Sequence, residues 1–469
     1  MVAQAAHSIE FQFLPNIPVV VQRHEGQISS DAGLLPLRQF DAKWNYTQRM
    51  ADCLHDPNPD REHSLLSMLR QRFFGILAGY EDCNDHDTLR NDPIFKIVAD
   101  RLPEDKPLAS QPTLSRFENL ATPAVLQKLT DFNIITGIER LKQKHGGRLP
   151  ACITLDLDAT DDPTHGNQQL TLFHGYYEQY QYYPLVISEP TTKHVFLVAL
   201  RHGTAHAALG ADDDVMRVVV ALRKQRPDII IHVRGDAGFG VPWMYDVCEK
   251  NNLYYTFGFS TNPRIKRLSE PLMQSAIAQH EQTKEKARLF ECFQYKCDEW
   301  EHSRTVIVKA ECHGGGTNRR CIVTNLMSAC PLGEGFPTPV EPLEIVTAAQ
   351  GEATYDHYIQ RGESEHRMDE LKNGLHMDRL SCHRFMANLF RLLLHTSAYN
   401  LLNAARDHPD LPEVMRVGQP STWRTNLIKV AAEVLQTTRR IIIRVAAQWP
   451  WWPNYQKVSA RSLAFVPSS

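Results

Sequence analysis

The chain has 469 residues, 42% of them apolar and 22% charged, the balance of a folded globular protein long enough for roughly three domains and a sizeable core. A wholly disordered or collagen-like chain is excluded. Lys and Arg number 51 against 54 Asp and Glu, a net charge of −3, so there is no global basic field and a nucleic-acid partner would have to be held by local patches.

The first residues, MVAQAAHSIEFQFLPNIPVVVQR, lack a basic start, carry Glu10 and are interrupted by Pro15 and Pro18. They do not read as a secretory signal. No uncharged apolar run reaches about 18 residues, the length of a membrane span, so the expectation is a cytoplasmic protein with no membrane partner. The ten cysteines are scattered and read as reduced thiols. Cys292, Cys297, Cys312 and His313 come nearest to a metal pattern but include no tight pair.

Residues 26–150 read as mostly helical, because HSLLSMLRQRFFGILAGY and TPAVLQKLTDFNIITGIERLKQK space their apolar residues by three and four. Between them Ser110 caps a short helix with Pro112 in its first turn, presenting Gln111, Thr113, Ser115 and Arg116 on its early exposed face. A DNA recognition helix is often dressed this way, and so is an ordinary capped surface helix.

Past Gly146, Gly147 and Pro150 the pattern changes. ITLDLD (153–158) alternates strictly, with Ile153, Leu155 and Leu157 on one face and Thr154, Asp156 and Asp158 on the other. Extended runs follow at YQYYPLVI and HVFLVAL, then the helical VMRVVVALRKQ, then a strand IIIHV that ends at Arg234, Gly235 and Asp236. A helix (VPWMYDVCEKN) and a strand (LYYTFGF) come next, giving the order three strands, helix, strand, helix, strand. From about Asn262 to Pro342 the stretch reads as an insertion, with QSAIAQHEQTKEKARL as a helix and TVIVKAEC and CIVTNL as strands. Residues 351–373 return to helix. SCHRFMANLFRLLLHTSAYNLL and RTNLIKVAAEVLQTTRRIIIRVAAQ are expected to be helical, the last carrying Arg439, Arg440 and Arg444.

Three acids stand out by position: Asp158 at the end of the first strand, Asp236 at the end of the fourth, and Glu365 in the late helix. Strands one and four are natural neighbours in a sheet, and a helix packed over their ends brings Glu365 to the same point. Two carboxylates about 4 Å apart repel by roughly 4 kcal/mol at an effective dielectric of 20, so three together call for a cation. Mg²⁺ suits hard oxygen ligands and bridges carboxylates to phosphate, and two such ions support in-line phosphoryl transfer. Tyr358, Arg361, Glu365 and Lys372 fall within a stripe roughly 60° wide on one helix, a set suited to phosphate. A single Asp after a strand is otherwise a turn or cap residue, and an Arg–Glu pair four apart is common on solvated helices.

The run Tyr, two residues, Arg, three residues, Glu, six residues, Lys is similar to the signature of DDE transposases of the large bacterial cut-and-paste group. More narrowly, LDLDATDDPTHGNQQLTLFHGYYEQYQYYPL, RGDAGFG, YIQRGESEHRMDELKNGL and NDHDTLRNDP with LASQPTLSRFEN resemble the insertion-sequence family numbered thirteen-eighty. The resemblance implies an α/β fold: an RNase H-like catalytic core interrupted by a β-rich insertion, with helical N-terminal and C-terminal regions. The expected division is 1–150 as a DNA-end-binding region, 151–261 as the first part of the core, 262–345 as the insertion, 346–400 as its completion with the Glu helix, and 401–469 as a helical C-terminal region. The implied activity is binding of terminal inverted repeats, cleavage of the element ends and joining of 3′ hydroxyls to target DNA. The implied cofactor is Mg²⁺ at a two-metal site, with Mn²⁺ as a substitute, and the implied assembly is a homodimer on DNA, associated with the bacterial nucleoid.

Carried over residue by residue, the catalytic and metal-binding acids are Asp158, Asp236 and Glu365. Asp156 shares the strand face with Asp158; Asp158 is preferred for the first position because it ends the strand and begins Asp-Ala-Thr. Tyr358, Arg361 and Lys372 would contact DNA phosphates near the cleavage point, and Arg116 would contact the element end. Trp300, the insertion's one tryptophan, would stack on a flipped base, with a core position as the simpler reading. Two other readings stand beside this one: a catalytically inactive DNA-binding protein of transposase descent, and an RNase H-like nuclease without joining activity.

Overall fold

The structure, a computed structural model, describes residues 8–13, 17–22, 26–56, 58, 61–175, 177–326 and 347–467. The last part of the expected insertion, 327–345, therefore lies outside the described residues. Strands β1 (Ser8–Phe11) and β2 (Val19–Gln22) form an antiparallel ribbon, and β3 (Gln27–Ser29) follows. Helices then run at Leu34–Trp44, Tyr46–Ala51, Leu65–Ala78, His86–Leu89, Pro93–Val98, Gln111–Glu118 and Pro123–Lys144. Their ends are written locally. Ser64 and Thr122 accept from the amides of Ser67 and Val125, satisfying first-turn donors, and Gly79 stops its helix in the left-handed region at φ 89°.

The central sheet begins with β4 (Cys152–Ala159). A small sheet made of β5 (Asp162–Pro163), β6 (Leu172–His174) and β7 (Gln179–Tyr182) interrupts it before β8 (Leu185–Glu189) and β9 (His194–Ala199). The run YQYYPLVI is thus two strands, divided at Tyr183 and Pro184, where proline supplies no ladder donor. The helix Ala211–Gln225, β10 (Ile230–Gly235), the helix Pro242–Lys250 and β11 (Tyr254–Phe259) complete the expected order. β10 lies parallel to both β4 and β11, while β8 is antiparallel to β4 and to β9.

Beyond β11, helices Pro263–Leu268 and Glu270–Thr283 lead to β12 (Ala287–Tyr295), β13 (Arg304–His313) and β14 (Gly316–Thr324). These three strands continue the central sheet, whose order is β12-β13-β14-β11-β10-β4-β8-β9. The expected helix across QSAIAQHEQTKEKARL ends early. Lys284 turns left-handed at φ 59°, and the residues from Ala287 onward pair with β13.

The C-terminal region departs from its expected helical form. β15 (Ala432–Gln436) and β16 (Ile441–Val445) make a hairpin, and β15 also pairs with β3. The three successive isoleucines favour a strand. The Thr437 hydroxyl closes the turn, accepting from the Arg440 amide at 3.1 Å and donating to its carbonyl at 2.7 Å. The helices Phe385–Arg406 and Trp452–Ala464 are present as helix.

Two cores result. One lies about the central sheet; the other is shared by the N-terminal helices, the helix Phe385–Arg406 and the C-terminal segments. Phe385–Arg406 is buried on nearly every side, its polar side chains being paired inside, Arg391 with Glu118 and Arg406 with Glu370. Its Asn400 side chain accepts from the Val195 amide at 2.8 Å and donates to the Val195 carbonyl at 2.9 Å, covering the edge strand β9. Among the described residues no helix is long and apolar enough to cross a membrane.

Candidate active site

Parallel pairing of β4 with β10 sets Arg234 opposite Asp156, so two residues further on Asp158 and Asp236 leave their strands side by side on one face, about a strand spacing of 4.8 Å apart along the backbone. Asp236 sits in the turn after β10, its Oδ1 accepting from the Gly238 amide at 2.8 Å. Asp158 Oδ2 accepts from the Ser364 hydroxyl at 3.0 Å. Burial raises the Asp158 carboxyl to about 6, and the negative charge of Asp236 adds to the rise against the opposing pull of Arg361 and Ser364. Two hard carboxylates held together in this way are a fitting donor pair for a divalent cation, which would displace the proton.

Asp156 has a different environment. It is completely buried; its Oδ1 accepts from Arg234 Nε at 2.7 Å and its Oδ2 from Arg367 Nη2 at 2.5 Å. Arg234 also donates to the His357 carbonyl at 2.6 Å, and Arg367 to Ser188 at 3.1 Å. This carboxylate therefore ties β4, β8, β10 and the overlying helices together and turns no oxygen toward solvent.

The expected single helix over 351–373 is three pieces. Ala348–Ile359 is helical, Gly362–Asp369 is a second helix, and Glu370–Gly374 is a π-helical turn. At the first joint the amides of Arg361, Glu363 and Ser364 bond back by three residues, to Tyr358, Gln360 and Arg361, a tighter 3₁₀ winding that adds about 20° for each step. The face turned to the sheet therefore moves one residue earlier, to Ser364. Glu365 is 71% exposed and 3.5 Å from Arg361, so the structure does not bring it to the two aspartates. Among the described residues no three His, Cys, Asp or Glu side chains converge on one point.

The other stripe residues do border the site. The Tyr358 hydroxyl lies by Gly258 and the Asp236 backbone: a Cβ built on Gly258 would stand 2.9 Å from that oxygen and 3.0 Å from the Asp236 carbonyl carbon. Arg361 stands 6.0 Å from the Tyr358 ring centre and within electrostatic reach of Asp158 and Asp236. Lys372 donates to Thr160 Oγ1 at 3.2 Å and to Asp161 at 2.9 and 3.1 Å. Ser364, Arg367 and Asp161 were not singled out from the sequence. The only signal for Arg367 was its place three residues beyond Ser364 on the same helix face.

Two expected DNA contacts lie elsewhere. Arg116 is exposed on Gln111–Glu118, donating to Thr113 at 3.2 Å, away from the acids on the N-terminal helices. Trp300 is 4% exposed, packed among Tyr245, Phe259 and Tyr295 with Arg304 over its ring at 5.3 Å. The expectation that it stacks on a base is corrected: its faces are already occupied by core neighbours.

None of the curated proteins matches the chain. Among solved structures it is similar to one titled a cryo-EM structure of piggyBac transposase synaptic complex with hairpin DNA, with 10% sequence identity and a TM-score of 0.34, over 84% of this chain and 85% of that one. Residues 11–464 match the family model for Transposase DDE domain group 1. That match spans the helices before the sheet, both aspartate-bearing strands and the C-terminal hairpin, and the chain belongs to this transposase family.

Proposed function

We propose that the protein is a DNA transposase of an insertion sequence, of the group numbered thirteen-eighty, that binds the inverted repeats at the ends of its element, hydrolyses the phosphodiester there and joins the freed 3′ hydroxyls to target DNA. The observation that carries this reading is the pair Asp158 and Asp236, side by side at the ends of paired parallel strands within a DDE transposase family. The strand order β4, β8, β9, β10, β11 with its helices agrees with an RNase H-like core. Asp158, Asp236 and Glu365 would hold Mg²⁺, which supplies charge neutralisation for the attacking and leaving oxygens of an in-line displacement.

The chain's own part is binding and orientation. Arg361, within reach of both acids and beside the Tyr358 ring, and Lys372, on Thr160 and Asp161, hold DNA phosphates. Arg116 and its helix meet the element end outside the cleavage point. Glu365 joins the aspartates when Ser364 releases Asp158 and the tight turn at Arg361–Ser364 relaxes, while Arg367 keeps the helix on Asp156. Each end requires one such site, so two copies of the chain act on one element.

The test is to incubate the full-length protein with the DNA ends that flank its gene and Mg²⁺, mapping cuts on each strand and products joined to a second duplex. Cutting at the ends followed by joining is expected, and both are lost in Asp158→Asn and Asp236→Asn while end binding persists. Binding without cutting would make it an inactive DNA-binding descendant, and cutting without joining a nuclease.

A further inference from the structure

Four residues beyond Asp158 the chain buries a second carboxylate, and nothing among the described residues serves it. Asp162 on β5 is 2% exposed, and neither of its oxygens has a hydrogen-bond partner. Asp378, in the segment after the π-helical turn, likewise buries an unpartnered Oδ1. Buried polar groups are nearly always hydrogen-bonded, and buried charges are paired or bind metal. The donors close by are committed elsewhere. Lys372 spends its three on Thr160 and Asp161, and Tyr182, opposite Asp162 in the ladder, donates to the Gln169 carbonyl at 2.7 Å.

The two carboxylates act on each other. Burial raises the Asp162 carboxyl well above its ordinary value, and of the charges around it Asp378 adds most to the rise, Asp161 adding less and Lys372 opposing both. Asp161 is already paired with Lys372 at 3.1 Å, which leaves Asp162 and Asp378 as two like charges. The same two stretches of chain are thus drawn together at Lys372 and pushed apart one step further on. A proton shared between the two acids serves two of the three orphan oxygens and leaves one charge buried. A hydrated divalent cation cancels both charges, and its waters serve the third oxygen. Asp378 also borders an open cleft of about 390 Å³ with Pro163, His165 and Ser381, which gives an ion a way in and room for its waters.

We propose that Asp162 and Asp378 hold a divalent cation, hydrated Mg²⁺, separate from the Asp158 and Asp236 pair. Mg²⁺ fits because it commonly takes only one or two carboxylates and keeps several waters, whereas Ca²⁺ takes about six to eight oxygens. The ion ties β5 to the segment that follows Lys372 and so keeps the Lys372 ammonium on Thr160 and Asp161. It is a positioning ion and takes no part in phosphoryl transfer.

The test uses the full-length chain carrying both Asp158→Asn and Asp236→Asn, so that the catalytic pair no longer competes for the probe. Mn²⁺ alone, followed by the electron paramagnetic resonance of the free ion at about pH 7, is expected to bind one ion per chain and to be displaced by excess Mg²⁺. Adding Asp162→Asn or Asp378→Asn should weaken Mn²⁺ at least about tenfold, the least that disturbing a metal's surroundings costs. Mg²⁺ should raise the melting temperature of the starting variant and leave that of the two extended variants unchanged, since an ion bound only to the folded chain stabilises it. If Asp162→Asn fails to fold, Asp378→Asn, at a half-buried position, decides alone. Absence of bound Mn²⁺ in the starting variant, or binding that Asp378→Asn leaves unchanged, overturns the site and makes Asp162 a buried neutral acid. Mn²⁺ that excess Mg²⁺ does not displace overturns the choice of ion.

Discussion

Asp156 lies two residues before Asp158 on the same face of β4, yet Arg234 and Arg367 take up both its oxygens. Removing one partner of a buried ion pair leaves an uncompensated charge, at a cost of about 3–5 kcal/mol. Asp156→Asn should therefore lower the urea midpoint sharply, whereas Asp158→Asn, which loses one hydrogen bond and a raised carboxyl, should leave it nearly unchanged. Equal midpoints would mean that Asp156 is not the tie. Arg361 allows a second distinction. Its 3.5 Å contact with the 71% exposed Glu365 contributes at most a few tenths of a kcal/mol. If its task is to hold phosphate, Arg361→Ala should flatten the slope of log affinity against log salt by about one charge. An unchanged slope leaves it as a helix-surface pair.

The element over the acids is wound in three ways, α, 3₁₀ and π, within 348–374, and irregular winding of this kind marks a helix held between registers. Ser364 donating to Asp158 at 3.0 Å holds the present register together with Arg367 on Asp156. Ser364→Ala removes it and lets the next residue, Glu365, turn toward the aspartates. Calorimetric titration should then show Mn²⁺ bound a few-fold more tightly than by wild type, about 1 kcal/mol for one hydrogen bond. Unchanged affinity would show that Ser364 does not hold the glutamate out.

At the scale of the whole molecule, Glu118 joins the two ends of the chain. It is buried between Arg72 of the N-terminal helices and Arg391 of the helix Phe385–Arg406, each at 2.8 Å. Burial would raise its carboxyl, but Arg391 and Arg72 outweigh this and lower it to about 2 from 4.5. A folded value below the unfolded one adds stability above about pH 4.5 that is lost as pH falls toward 2. The shift corresponds to about 3 kcal/mol. Wild type should lose that much between pH 5 and 2, and Glu118→Gln should start lower and show a shallower loss, as read from urea midpoints. Because this core is shared, residues 1–150 expressed alone should not fold, and a cooperative melt of that fragment by circular dichroism would contradict the shared core.

Alternation over ITLDLD, the apolar run before Asp236 and the helical spacing of Phe385–Arg406 were all legible in the sequence. Each is a pattern among neighbours a few residues apart, and those patterns already set each aspartate at the end of a strand; the pairing of β4 with β10 made them neighbours. Tertiary structure decided the rest. Residues 432–445 are strand because β3, from the other end of the chain, offers a pairing edge. Trp300 is core because Tyr245 and Phe259, distant in sequence, close around it with the nearby Tyr295. Ser364 rather than Glu365 faces the sheet because a few backbone hydrogen bonds change the winding by tens of degrees, a phase that side-chain spacing on an ideal helix cannot record.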